Sequence, residues 1–90
     1  MATLIVKHTV GDYGSWRPVY DDAEPVRAHH GCTAKRVLRT PDDRNTLLVL
    51  HEFPSVTQAE AFANDPDLKT AMQKAGVAGP PRIEIYDEID

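Results

Sequence analysis

Apolar and polar residues alternate over Ala2–Val10, with Leu4, Val6, His8 and Val10 on one face and Ile5, Lys7 and Thr9 on the other. A period of two predicts a strand. Gly11-Asp12-Tyr13-Gly14 breaks it, and the period becomes helical, with Trp16, Val19, Tyr20, Ala23 and Val26 on one stripe. Ser15 is the predicted N-cap of a helix from Trp16 to about His30, and Gly31 its stop. Pro18 fits a first turn. Pro25 falls in the helix interior, so a kink or break is expected there.

Cys32–Thr40 is read as a second strand and Pro41-Asp42-Asp43-Arg44-Asn45 as a polar turn short enough to join antiparallel neighbours. Thr46–Phe53 is the third strand. Leu47, Val49, His51 and Phe53 face one way; Leu48, Leu50 and Glu52 face the other. A one-sided strand would alternate apolar with polar residues, so this one should be central and covered on both faces. Ser55 and Gln58 have capping-box spacing for a helix through about Asn64, with Val56, Ala59, Phe62 and Ala63 inward. Asp65 caps a further helix that begins at Pro66, carries Leu68, Ala71, Met72 and Ala75 on one stripe, and ends at Gly76. Gly79-Pro80-Pro81 reads as a rigid connector before a last strand, Arg82–Ile89.

The order β-α-β-β-α-β predicts an α+β, ferredoxin-like domain spanning residues 1–90. Its four-stranded antiparallel sheet has spatial order 4-1-3-2, with the helices on one face. Ile5, Leu48 and Leu50 cannot all face helices. Burying a Leu or Ile side chain is worth about 1.5–3 kcal/mol, so the bare face predicts a homodimer packed sheet to sheet.

Composition narrows the function. The 90 residues carry a net charge of −4 with no basic stripe, so no nucleic acid partner is expected. Arg36, Arg39 and Arg44 have Asp42 and Asp43 among them and read as a solvated hairpin. The single cysteine, Cys32, has no partner for an internal disulfide. The N-terminus lacks the pattern of a signal peptide, and no apolar run is long enough to span a membrane. These features predict a cytoplasmic protein with no membrane association.

His8 is the candidate catalytic residue. An imidazole among Leu4, Val6 and Val10 on the helix-facing side would be held neutral by burial, the form suited to accepting a proton. The alternative is a core histidine bonded to a backbone carbonyl or to Tyr20. Trp16, Tyr20, His51, Phe62 and Met72 are the candidate substrate-binding residues lining a helix–sheet pocket for a small aromatic or apolar ligand. His8 and His51 should lie about 10 Å apart along antiparallel strands, too far to share a metal within one protomer. Asp12 and Tyr13 are candidates for the pocket rim or for turn chemistry alone. His29 and His30 fit a helix C-terminus, where the dipole favours them. No phosphate loop, Ser-His-Asp arrangement or metal motif occurs, so neither a metal nor a cofactor is expected.

Val10-Gly11-Asp12-Tyr13 followed by Trp16, the hairpin Arg39–Asn45 and the stretch Asp67–Pro81 together resemble the dimeric α/β-barrel superfamily. Within it the chain is similar to the antibiotic-biosynthesis-monooxygenase-like proteins. The resemblance covers nearly the whole chain and implies ferredoxin-like protomers whose two sheets form a barrel. The superfamily includes cofactor-independent monooxygenases, polyketide cyclases, isomerases, haem-degrading enzymes and stress-response proteins. Trp16 and the histidines do not match the Asn, Trp and His set of the haem-degrading branch. Two readings follow: a cofactor-independent oxygenase or cyclase with His8 as proton acceptor, or a non-catalytic dimeric module that binds a ligand or partner.

Overall fold

A computed structural model describes residues 1–90. The elements run β1 (Ala2–Val10), α1 (Tyr13–Asp22), α2 (Glu24–His29), β2 (Ala34–Arg39), β3 (Thr46–Phe53), α3 (Val56–Ala63), α4 (Pro66–Lys74) and β4 (Val77–Asp87). The strands form one antiparallel sheet in the order β2-β3-β1-β4, the expected arrangement.

Strand parity places the core. Ala2, Leu4, Val6, His8 and Val10 of β1 are buried on the same side as Leu47, Val49, His51 and Phe53 of β3. Trp16 and Tyr20 from α1 and Ala59 and Phe62 from α3 close over them. On the opposite face Ile5, Leu48 and Leu50 are half-buried, and Leu38 of β2 is exposed.

The first helix begins earlier than expected. Asp12, not Ser15, is its N-cap: the Asp12 carboxylate accepts from the Ser15 amide at 3.0 Å and the Ser15 hydroxyl at 3.1 Å. Ser15 is thus the third helical residue, whose otherwise unpaired amide the Asp12 carboxylate satisfies. Asn45 Oδ1 accepts from the Tyr13 amide at 3.3 Å, tying the β2–β3 hairpin to the start of this helix. The break at Pro25 occurs as expected. Lacking an amide proton, Pro25 cannot continue the α1 ladder and takes a place in the first turn of α2.

Gly31 and Gly76 follow α2 and α4 with φ of +82° and +79°, the left-handed stops read from the sequence. The last strand, however, runs Val77–Asp87 rather than Arg82–Ile89, and Ile89 lies beyond it, 95% exposed. Val77 and Ala78 pair with Val10 and Thr9, and a bulge between Lys7 and Thr9 lets Gly79-Pro80-Pro81 pass as strand. Two prolines are tolerated because β4 is an edge strand beside a bulge. β2 is shorter than predicted and starts at Ala34.

Candidate functional site

The α1 stripe and the buried faces of β1 and β3 meet at a small cavity. It is lined by 14 residues, 11 of them hydrophobic, and has a volume of about 40 Å³. All six residues proposed for the site from sequence line it: His8, Trp16, Tyr20, His51, Phe62 and Met72. The space accommodates about three water molecules, so an aromatic ligand requires the helical wall to move. Leu68, Ala71 and Met72 form the part of that wall supplied by α4, a helix with no fully buried residue.

His8 projects from β1 with 7% exposure, and neither Nδ1 nor Nε2 has a hydrogen-bond partner. Both bonding arrangements considered for a core histidine, to backbone carbonyl or to Tyr20, are therefore absent. Its ring lies 5.8 Å from that of Trp16. Burial lowers its pKa, which favours the neutral imidazole with one donor and one acceptor nitrogen.

Tyr20 is instead bonded to His51, its hydroxyl lying 3.0 Å from Nε2. Nδ1 of His51 is buried without a partner. Bond accounting fixes the tautomer. If Tyr20 donates to Nε2, the only group left unpaired is Nδ1–H. If Nε2–H donates, both the phenolic proton and Nδ1 are unpaired, which costs more. Burial, then Arg27 and Lys35, push the His51 pKa down to about 4, while burial pushes Tyr20 up to about 12. At neutral pH the pair is an uncharged phenol donating to an uncharged imidazole.

β1 and β3 run in a register that sets His8 opposite Leu47 and Leu4 opposite His51. The two histidines are four positions apart, about 13 Å along the strands. They occupy opposite ends of one cavity, separated by the rings of Trp16 and Tyr20, which stack at 4.7 Å with an interplanar angle of 18°. Phe62 closes the His51 end, 5.3 Å from its ring.

Arg27 was absent from the sequence reading of the site. Its side chain is 3% exposed, with Nη2 donating to the Tyr20 carbonyl at 2.8 Å and Cζ 4.1 Å from the Tyr20 ring centre. Lys35 and Arg17 approach the same ring to 5.6 Å. Glu24 neutralises part of this charge, bonding Lys35 Nζ at 2.7 Å and Arg27 Nη2 at 3.0 Å. The available signal was spacing: Arg27 lies seven residues after Tyr20, on the stripe that Trp16 begins.

Asp12 and Tyr13 do not line the cavity; Asp12 is committed to capping, and Tyr13 packs 5.8 Å from Trp16 beneath Arg39. His30 bonds Asp65 at 2.7 Å, joining the end of α2 to the start of α4. Cys32 is half-buried, with its thiol donating to the Ala34 carbonyl at 3.3 Å. No three His, Cys, Asp or Glu side chains are grouped as metal ligands, and no helix is long and apolar enough to cross a membrane.

No protein-family model matches the chain, and no curated protein matches it. Solved structures do. A Bordetella bronchiseptica protein described as a candidate antibiotic biosynthesis monooxygenase superposes with a TM-score of 0.80 at 14% identity, covering 98% of this chain and 96% of that one. SnoaB, a cofactor-independent oxygenase from Streptomyces nogalater, gives 0.78 at 13% identity, over 99% and 93%. A Caulobacter crescentus protein of the same description gives 0.77 at 21%, over 99% and 90%. The chain therefore has the ferredoxin-like fold of the antibiotic biosynthesis monooxygenase-like proteins.

Proposed function

We propose that this protein is a cofactor-independent enzyme that oxygenates or cyclises a small aromatic substrate, with His8 as the proton acceptor. The observation that carries this reading is His8 itself: a buried, neutral imidazole facing a cavity, with both nitrogens free for a ligand. Leaving buried polar atoms unpaired costs about 1–3 kcal/mol, a cost that a substrate hydroxyl or carbonyl in the cavity would remove. Trp16 and Tyr20 supply the flat wall against which an aromatic body stacks. In the oxygenation, His8 takes a proton from an acidic C–H or O–H, and the resulting electron-rich anion reacts with dioxygen.

The test is dioxygen uptake with 1,8-dihydroxyanthrone, alongside binding followed by quenching of Trp16, the single tryptophan. The expected result is turnover by the wild type, and its loss in His8→Ala while quenching persists. The small cavity favours the second reading, a non-catalytic binding module. Quenching without turnover by the wild type would establish that reading instead.

We infer further that the protein acts as a cytoplasmic homodimer. Leu38 at 37% and Tyr86 at 52% exposure lie on the sheet face that also holds half-buried Ile5, Leu48 and Leu50. Apolar groups at the centre of a face with Lys7, Glu52, Arg82 and Glu84 around them suit an isologous contact between two copies. Sedimentation velocity should give a dimer at micromolar concentration and a monomer for Leu50→Arg. A wild-type monomer would overturn this assignment.

A further inference from the structure

Tyr13, Trp16 and Tyr20 recur at helical spacing on α1, and their rings form a continuous series: 5.8 Å from Tyr13 to Trp16, then 4.7 Å to Tyr20. His51 extends it, its ring 6.0 Å from that of Tyr20 and tilted by 20°. Trp16 also borders His8 at 5.8 Å, so the series starts at the cavity end where His8 stands and finishes at a hydrogen-bonded phenol. The bond satisfies a buried phenol. It also supplies what electron transfer through stacked indole and phenol rings needs, because a phenol that loses an electron must also lose its proton.

We propose that Trp16, Tyr20 and His51 form a one-electron relay: an oxidised aromatic ligand in the cavity draws an electron from Tyr20 through Trp16, and the Tyr20 proton crosses to His51 Nε2. The oxidant, an aryloxyl radical of the ligand, rests on the oxygenase reading above. The step balances. The ligand radical gains one electron and becomes a closed-shell phenolate. Tyr20 loses one electron and one proton to become a neutral phenoxyl radical, and His51 becomes an imidazolium.

Arg27, Arg17 and Lys35 face the Tyr20 ring and are paired with two carboxylates, Glu24 and Asp21, which offset much of their charge. A phenol that has lost an electron is a far stronger acid than an imidazolium, so the proton leaves with the electron. His51 is placed to receive it, since the tautomer with fewer unpaired groups presents Nε2 as the acceptor. Trp16 at 2% and Tyr20 at 8% exposure keep the radical out of water.

The test needs no substrate, so it can succeed or fail independently of the oxygenase reading. A Tyr13→Phe/Tyr86→Phe variant removes the two outer tyrosines and leaves Tyr20 as the only one. Photogenerated tris(bipyridine)ruthenium(III) serves as the one-electron oxidant, and time-resolved absorption and paramagnetic resonance follow the radicals. The expected result is a Trp16 indolyl signal that gives way to a neutral tyrosyl signal, more slowly in deuterium oxide. Adding His51→Leu should abolish the conversion. Decay of the Trp16 radical without a tyrosyl signal would overturn the relay. So would a conversion rate indifferent to deuterium oxide or to His51→Leu.

Discussion

His8 and His51 stand on neighbouring strands with their side chains on the same buried face, yet only His51 has a hydrogen-bond partner, the Tyr20 hydroxyl at 3.0 Å. The difference follows from α1. Tyr20 is one helical turn beyond Trp16, so its ring reaches the His51 end of the cavity, while the Trp16 ring covers the His8 end without offering it a donor or acceptor.

His8→Leu should therefore stabilise the fold. It replaces two unpaired buried nitrogens by apolar atoms of similar bulk, worth about 1–3 kcal/mol. Thermal and urea unfolding should show a higher midpoint for the variant. A lower one would mean that the imidazole has a structural partner and would weaken its assignment to a ligand.

The Tyr20–His51 bond should appear in a double-mutant cycle. Tyr20→Phe leaves His51 Nε2 unpaired and His51→Leu leaves the phenol unpaired, each costing about 1–2 kcal/mol. The double variant should cost clearly less than the sum of the two. Additive losses would show that the two groups do not depend on each other.

Stability should fall on acidification well before the carboxylates titrate. The His51 pKa is about 4 in the fold and near 6.5 when unfolded, so the unfolded chain binds the proton first as pH drops. The stabilisation is complete above pH 6.5 and lost towards pH 4, about 3 kcal/mol in all. His8, lowered in the same direction, adds to the loss. Urea unfolding at pH 7.5 and 4.5 measures it, and His51→Leu should flatten the dependence. Equal wild-type stability at both pH values would contradict the burial of neutral imidazoles.

Arg27→Ala should destabilise by about 2 kcal/mol, through loss of its contact with the Tyr20 ring and its bond to the Tyr20 carbonyl. Glu24, 54% exposed, is left hydrated rather than buried alone. A calorimetric melting temperature equal to that of the wild type would show that the guanidinium contributes nothing net.

Gly31→Ala should cost about 1 kcal/mol, because φ at this position is +82°. An added Cβ would also meet Gln58 Nε2 at 2.7 Å, displacing a side chain that bonds the His30 carbonyl. A denaturation midpoint unchanged by the substitution would show that α2 ends as readily without a glycine.

Sequence alone determined the sheet and which side of it is core. Two-residue parity in Ala2–Val10 and Thr46–Phe53 fixes the faces, because a slip of one position would expose Leu4, Val6, Leu47 and Val49 together. The same parity brought His8 and His51 to the cavity side, and helical spacing brought Trp16, Tyr20, Phe62 and Met72 to meet them. Which polar groups meet was decided only in three dimensions. Tyr20 reaches His51 rather than His8 because α1 lies along the cavity, with Trp16 at the His8 end and Tyr20, one turn on, at the His51 end. Packing laid Arg27 against the Tyr20 ring, and β4 begins early because a bulge admits Gly79-Pro80-Pro81. Periodicity records which residues avoid water along one element. It carries no information on the angle and offset at which elements dock, and those decide each hydrogen bond in the site.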